Sequence, residues 1–221
     1  MSDAVLPSWR AGETRRAIVA FLDRVDEIPP AERVAVFDND GTLWCEKPNY
    51  PQLEFMVAQL KSAVDADASL GEAPEYRAIL TGDRAALAEM GLERVAHALV
   101  DLHTGLTPEE FNERVAAFFA SARHPDRGVP YRQQRYLPML ELMDELRVRD
   151  FDCYLVTGGG SEFVRVIGED FYGVKPEGVV GSQIADDVDR LDGGGVRLVR
   201  TGDIVASGVN EGIGKPPNIQ R

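Results

Sequence analysis

The chain has 221 residues, 44% of them hydrophobic, and a formal net charge of -13. Such a length buries a substantial core and leaves room for one α/β domain with a smaller inserted one. The acidity repels nucleic acid and anionic membrane, and no apolar run approaches the roughly 20 residues of a membrane span, so neither is expected as a partner.

The segment from Met1 to Arg16 carries charges and prolines where a secretory signal would be apolar, which points to a cytoplasmic protein. Ile18, Phe21, Leu22 and Val25 then fall at helical spacing, and Pro29-Pro30 stops that helix. Val34 to Phe37 follows as four apolar residues, the pattern of a buried parallel strand. Asp38 and Asp40 come where that strand would leave the sheet, the end at which open α/β sheets bind ligands. Two carboxylates beside a dry core cost several kcal/mol unless a cation or a task keeps them there.

From Pro48 the pattern turns helical, with no strand signal. Leu53, Met56, Val57 and Leu60 form one apolar stripe, and Leu92, Val95, Ala96 and Leu99 another. A third helix is marked by Thr107 as N-cap, Pro108 in the first turn, Glu110 completing a capping box, and Phe111, Val115, Phe118 and Phe119 on one face. Polar, irregular chain between Ser121 and Arg135 marks the return to the parent domain. The expected division is a core of residues 1–46 and 131–221 with a helical cap over residues 47–130.

The parent resumes with a helix bearing Met139, Leu142, Met143 and Leu146, then a second buried strand over Cys153 to Val156. It ends at Thr157-Gly158-Gly159-Gly160-Ser161, where Ser161 is expected to cap the next helix, with Phe163, Val164 and Ile167 on its apolar side. Val179-Val180 reads as a third strand, and Asp187 to Val205 as a hairpin around a second glycine run, Gly193 to Gly195. The strand directions separate Cys45 from Cys153, so both are expected as free thiols; Cys45 reads as a packed residue rather than a nucleophile.

Three segments can carry chemistry. Asp38 could be a nucleophile or a metal ligand, and Asp40 points to the same side, with Gly41 and Thr42 turning the chain so that both project. Thr157 offers a hydroxyl, and the amides of Gly158 and Gly159 lead to a helix N-terminus, a combination that favours phosphate. Lys215 sits between flexible Gly214 and Pro216, which suits a helix start. Two further groups carry no assigned chemistry. His97, His103 and His124 lack metal-ligand spacing and read as core or surface histidines. Arg123, Arg127, Arg132 and Arg135 either steer an anion or form a solvated connector.

In that order, and split by a helical insertion, these segments resemble the haloacid dehalogenase-like hydrolase superfamily, most closely its phosphoserine-phosphatase-like branch. The resemblance implies a doubly wound parallel, Rossmann-like sheet with an inserted helical cap domain. It also implies a phosphatase acting on a small phosphorylated metabolite: Asp38 as nucleophile forming an aspartyl-phosphate, Asp40 as acid and then base, Thr157 and the Gly158 amide on phosphoryl oxygens, and Lys215 balancing charge. Mg²⁺ is implied, held by the Asp38 carboxylate and the Asp40 main-chain carbonyl. Trp44, Glu46 and Tyr50 stand where that branch places specificity residues, and Glu46 either meets a substrate amine or is an exposed surface glutamate.

The family pattern continues past the lysine to a further strand with an acidic motif that completes the metal shell, whereas this sequence reaches Arg221 soon after Lys215. A chain ending there is expected to bind metal and turn over poorly. The missing acidic motif supports an inert phosphate-binding module as one alternative, and phosphotransfer to another alcohol, which differs only in what the cap admits, stands as another.

Overall fold

The computed structural model describes residues 5–205 and 209–220, with the side chain of Leu92 outside that set. Residues 1–4, 206–208 and 221, assigned to the core on sequence, and the side chain of Leu92 of the predicted stripe thus lie outside the described residues. Strands β1 (Val34–Phe37), β2 (Asp152–Gly160) and β3 (Val179–Ser182) form one parallel sheet in that order. Val34 pairs with Asp152 and Phe37 with Leu155, so Asp38 emerges level with the middle of β2.

The Val34 run reads as a buried strand, and as a sheet edge where no further strand follows Lys215; among the described residues it is an edge. Among the described residues β1 pairs only with β2, and Val34 and Val36 are 54% and 51% exposed while Phe37 faces the core. An apolar run shows that a strand forms; how much of it is covered depends on its neighbours.

Helix α1 (Glu13–Leu22) precedes the sheet, and five helices follow β1: α2 (Pro51–Ala66), α3 (Pro74–Thr81), α4 (Arg84–Met90), α5 (Leu92–Asp101) and α6 (Pro108–Ser121). The α6 capping box is complete. Thr107 Oγ1 accepts from the Glu110 N–H at 3.2 Å, and Glu110 Oε2 accepts from the Thr107 N–H at 2.8 Å. Helix α7 (Leu137–Arg147) leads into β2, and α8 (Ser161–Tyr172) joins β2 to β3.

Phe163, Val164 and Ile167 of α8 are buried, as their spacing predicts, and pack with Leu155, Val179, Phe55 and Trp44 in one core. Strands β4 (Ile184–Arg190) and β5 (Val196–Ile204) form the predicted hairpin, beginning slightly earlier than its sequence signal. Its turn needs Gly193 and Gly194, whose φ angles of 110° and 92° exclude ordinary side chains. Helix α9 (Lys215–Ile219) follows.

Candidate active site

Asp38 leaves the sheet where β1 ends, and the turn behind it is built by the main chain. The Asn39 carbonyl accepts from the N–H groups of Thr42 and Leu43 at 3.2 and 2.8 Å. Gly41 has φ 75°, a left-handed conformation that lets the chain reverse directly after Asp40. Both carboxylates therefore project from one tight loop, and both line the same cavity.

Asp40 is half-buried, and burial pushes its carboxyl up from the ordinary 3.8 to about 6. A 2.8 Å hydrogen bond from the indole N–H of Trp44 opposes that shift, and the negative charges of Asp38, Glu46 and Glu211 add to it. Trp44, predicted near substrate, is 1% exposed; its work is to hold Asp40 from inside the core. Tyr50 does line the cavity. Glu46 lies against Gly41 and pairs with Lys47 at 3.5 Å, so its carboxylate is tied to the turn.

The glycine run differs from its sequence reading. β2 continues in extended form to Gly160, with a register irregularity between Val156 and Gly160. Ser161 is the first residue of α8 rather than its cap, and its hydroxyl contacts Glu162 at 3.1 Å. The glycine amides are partly engaged: Thr157 Oγ1 accepts from the Gly159 N–H at 3.0 Å, and Gln52 Oε1 from the Gly160 N–H at 2.9 Å. Gln52 reaches this loop from α2 and was not flagged by sequence, since nothing local marks it.

Lys215 closes the site from the other side. Its ammonium donates to Asp38 Oδ1 at 2.8 Å and to the Val156 carbonyl at 3.0 Å. Asn210, fully buried, anchors the segment before it by donating to the Thr157 carbonyl at 2.7 Å and receiving a hydrogen bond from Asn218 at 3.0 Å. Glu211 brings a third carboxylate to the cavity and lies so close to Gly158 that a side chain there would collide with it. Neither residue carries a sequence signal. Their placement depends on how residues 209–215 fold back over the strand ends.

Asp38, Asp40, Thr157, Gly158, Gly159 and Glu211 thus share one cavity of about 840 Å³, with Lys215 bonded to Asp38. Among the described residues no group of three or more His, Cys, Asp or Glu is placed to hold a metal ion. Three of the four clustered arginines are engaged within the fold. Arg132 pairs with Asp170 at 2.7 Å, Arg135 caps the Phe171 carbonyl at the end of α8, and Arg127 binds Gln134 at 2.9 Å. His103 and His124 are buried, His97 is exposed, and both cysteines are free. No helix among the described residues is long and apolar enough to cross a membrane.

The family model for haloacid dehalogenase-like hydrolases matches residues 35–207. No curated protein matches this chain. Among solved structures, a protein with unknown function from Bordetella pertussis Tohama I is similar at 21% identity and TM-score 0.52, over 85% of this chain and 72% of that one. A phosphoserine phosphohydrolase-like protein from Francisella tularensis subsp. tularensis SCHU S4 is 17% identical, with TM-score 0.38 and the same coverages of 85% and 72%.

Proposed function

Because the chain belongs to the haloacid dehalogenase-like hydrolases, we propose that it is a Mg²⁺-dependent phosphatase that hydrolyses a soluble phosphomonoester through an aspartyl-phosphate. The observation that carries this reading is the convergence of Asp38, Asp40 and Thr157 on one cavity with Lys215 bonded to Asp38. In this scheme an Asp38 carboxylate oxygen attacks phosphorus, and the bond from phosphorus to the alcohol oxygen breaks. Asp40 gives its proton to the departing alkoxide. It then takes a proton from water, whose oxygen attacks phosphorus and frees Asp38 and inorganic phosphate.

A carboxyl near 6 suits that double role, since both of its protonation states are populated near neutral pH. The Thr157 hydroxyl and the Gly158 amide face the phosphoryl oxygens, and Lys215 offsets the charge gathered when a phosphate meets Asp38. The Asp38 carboxylate and the Asp40 main-chain carbonyl are hard oxygens of the kind Mg²⁺ prefers and would hold the ion, with water and phosphate supplying the remaining ligands. When bound, it supplies charge neutralisation to the phosphoryl group. Helices α2 to α6, within residues 47–130, act as the cap over a doubly wound core, excluding water during transfer.

The test is hydrolysis of phenyl phosphate with Mg²⁺. Asp38→Asn is expected to abolish it while circular dichroism stays unchanged, and turnover that survives the substitution rejects the nucleophile. Melting the protein with Mg²⁺ and beryllofluoride separates this reading from the inert module: a rise in Tm supports a working site, and no rise favours the module.

A further inference from the structure

Resting on the phosphatase reading above, we infer that the alcohol half of the substrate is a long, uncharged apolar group housed among the helices after β1. The catalytic side chains occupy only one end of the cavity. The rest of its wall is aliphatic, led by Leu53, Met56 and Val57 of α2 and by Val95, Leu99 and Val100 of α5. Away from Asp38, Asp40, Thr157 and Glu211, the polar side chains lining it are Tyr50 and Gln52, and Gln52 already accepts from the Gly160 amide. Among the described residues lining it there is no lysine, arginine or histidine.

This wall selects by what it lacks. An alcohol bearing a carboxylate or a second phosphate would be stripped of water against aliphatic side chains with no cation among them to receive it. At about 840 Å³ the cavity lies in the upper part of the roughly 300–1,000 Å³ range of small-molecule sites, far more than a two- or three-carbon alcohol fills. An apolar tail against these aliphatic walls gains the close contacts of a packed interior. Because the phosphate end and the apolar end are one continuous space, a single molecule engages both.

The experiment is calorimetric titration of the 221-residue chain with methyl-, butyl-, hexyl- and decylphosphonate, kept below micellar concentrations, which needs no turnover. Kd is expected to fall about threefold to fourfold per added methylene until the tail is accommodated. Decylphosphonate carrying a terminal carboxylate or ammonium is expected to bind at least tenfold more weakly than decylphosphonate. Leu53→Glu, at a partly exposed wall position, is expected to shrink the methyl-to-decyl gain by at least tenfold. A Kd independent of chain length, or preference for a charged terminus, overturns the apolar-tail inference even where phenyl phosphate is hydrolysed. Length-dependent binding without any hydrolysis overturns the phosphatase reading instead, and failure to bind any phosphonate overturns both.

Discussion

The ammonium of Lys215 lies 2.8 Å from Asp38 Oδ1, a contact between residues 177 positions apart in the chain. A second bond to the Val156 carbonyl holds the same nitrogen between the end of β1 and the middle of β2. In the proposed phosphatase the cation is therefore fixed before any phosphate arrives. Such preorganisation is what makes a charge effective against developing negative charge.

Replacing Lys215 by Met keeps the length of the side chain and removes its charge. Hydrolysis of phenyl phosphate is expected to fall about 10²-fold to 10³-fold in kcat. The melting temperature should stay near that of the parent, because the lysine leaves a carboxylate that is itself 42% exposed to water. A loss below about tenfold would remove Lys215 from the catalytic set.

Trp44→Phe probes the support beneath Asp40. Phenylalanine keeps most of the ring contacts to Phe119 and Phe171 but loses the indole N–H that bonds Asp40 Oδ1. Leaving a half-buried carboxylate oxygen without that donor is expected to destabilise the fold by about 1–3 kcal/mol, read as a lower urea midpoint. Phenyl phosphate hydrolysis should fall as well, since Asp40 is no longer held in place. An unchanged midpoint would show that the indole bond contributes little.

Much of this arrangement was legible in the sequence because its signals are local. The Val34 to Phe37 run, the Thr107 and Glu110 capping box and the Gly193 to Gly195 turn each encode their structure within a few residues, and each element forms. The short helices α3 and α4 were not individually resolved, since helices of 8 and 7 residues carry little periodicity. Ser161 missed its cap role because β2 runs on through the glycines, so extended backbone meets helix without an intervening turn. Gln52, Asn210 and Glu211 were invisible for a different reason. Each is an ordinary polar residue whose importance arises only when distant segments are brought together over the strand ends.

The glycines near the site respond differently to an added methyl, and the contrast can be measured. A Cβ at Gly181 would lie 2.8 Å from the Gly159 carbonyl oxygen and 2.9 Å from the Ser161 backbone, atoms that cannot turn aside. Gly181→Ala is expected to cost about 1–3 kcal/mol in urea unfolding, since β3 must move away from the junction of β2 and α8. At Gly158 the obstacle is the end of the flexible Glu211 side chain, which can swing away. Gly158→Ala should therefore leave stability within about 0.5 kcal/mol of the parent, and equal costs at the two positions would contradict this account.

His103 sets an acid limit on the fold. The ring is 1% exposed, stacked on Phe55 at 5.5 Å, and its Nδ1–H donates to the Leu99 carbonyl at 3.1 Å. Nε2 has no partner among the described residues, and burial lowers the pKa from 6.5 to about 4, against the Leu99 bond and with help from Arg200 and Arg114. The unfolded chain thus holds this proton between about pH 6.5 and 4 while the folded chain rejects it. Stability is full above 6.5 and is lost as pH falls towards 4. Between about pH 7 and pH 5 the loss from this group alone is roughly 2 kcal/mol. Urea unfolding of the parent and of His103→Leu at both values isolates it: the variant is expected to lose about 2 kcal/mol less between them, whatever its own stability at pH 7. Equal losses would mean that the ring takes up its proton while folded.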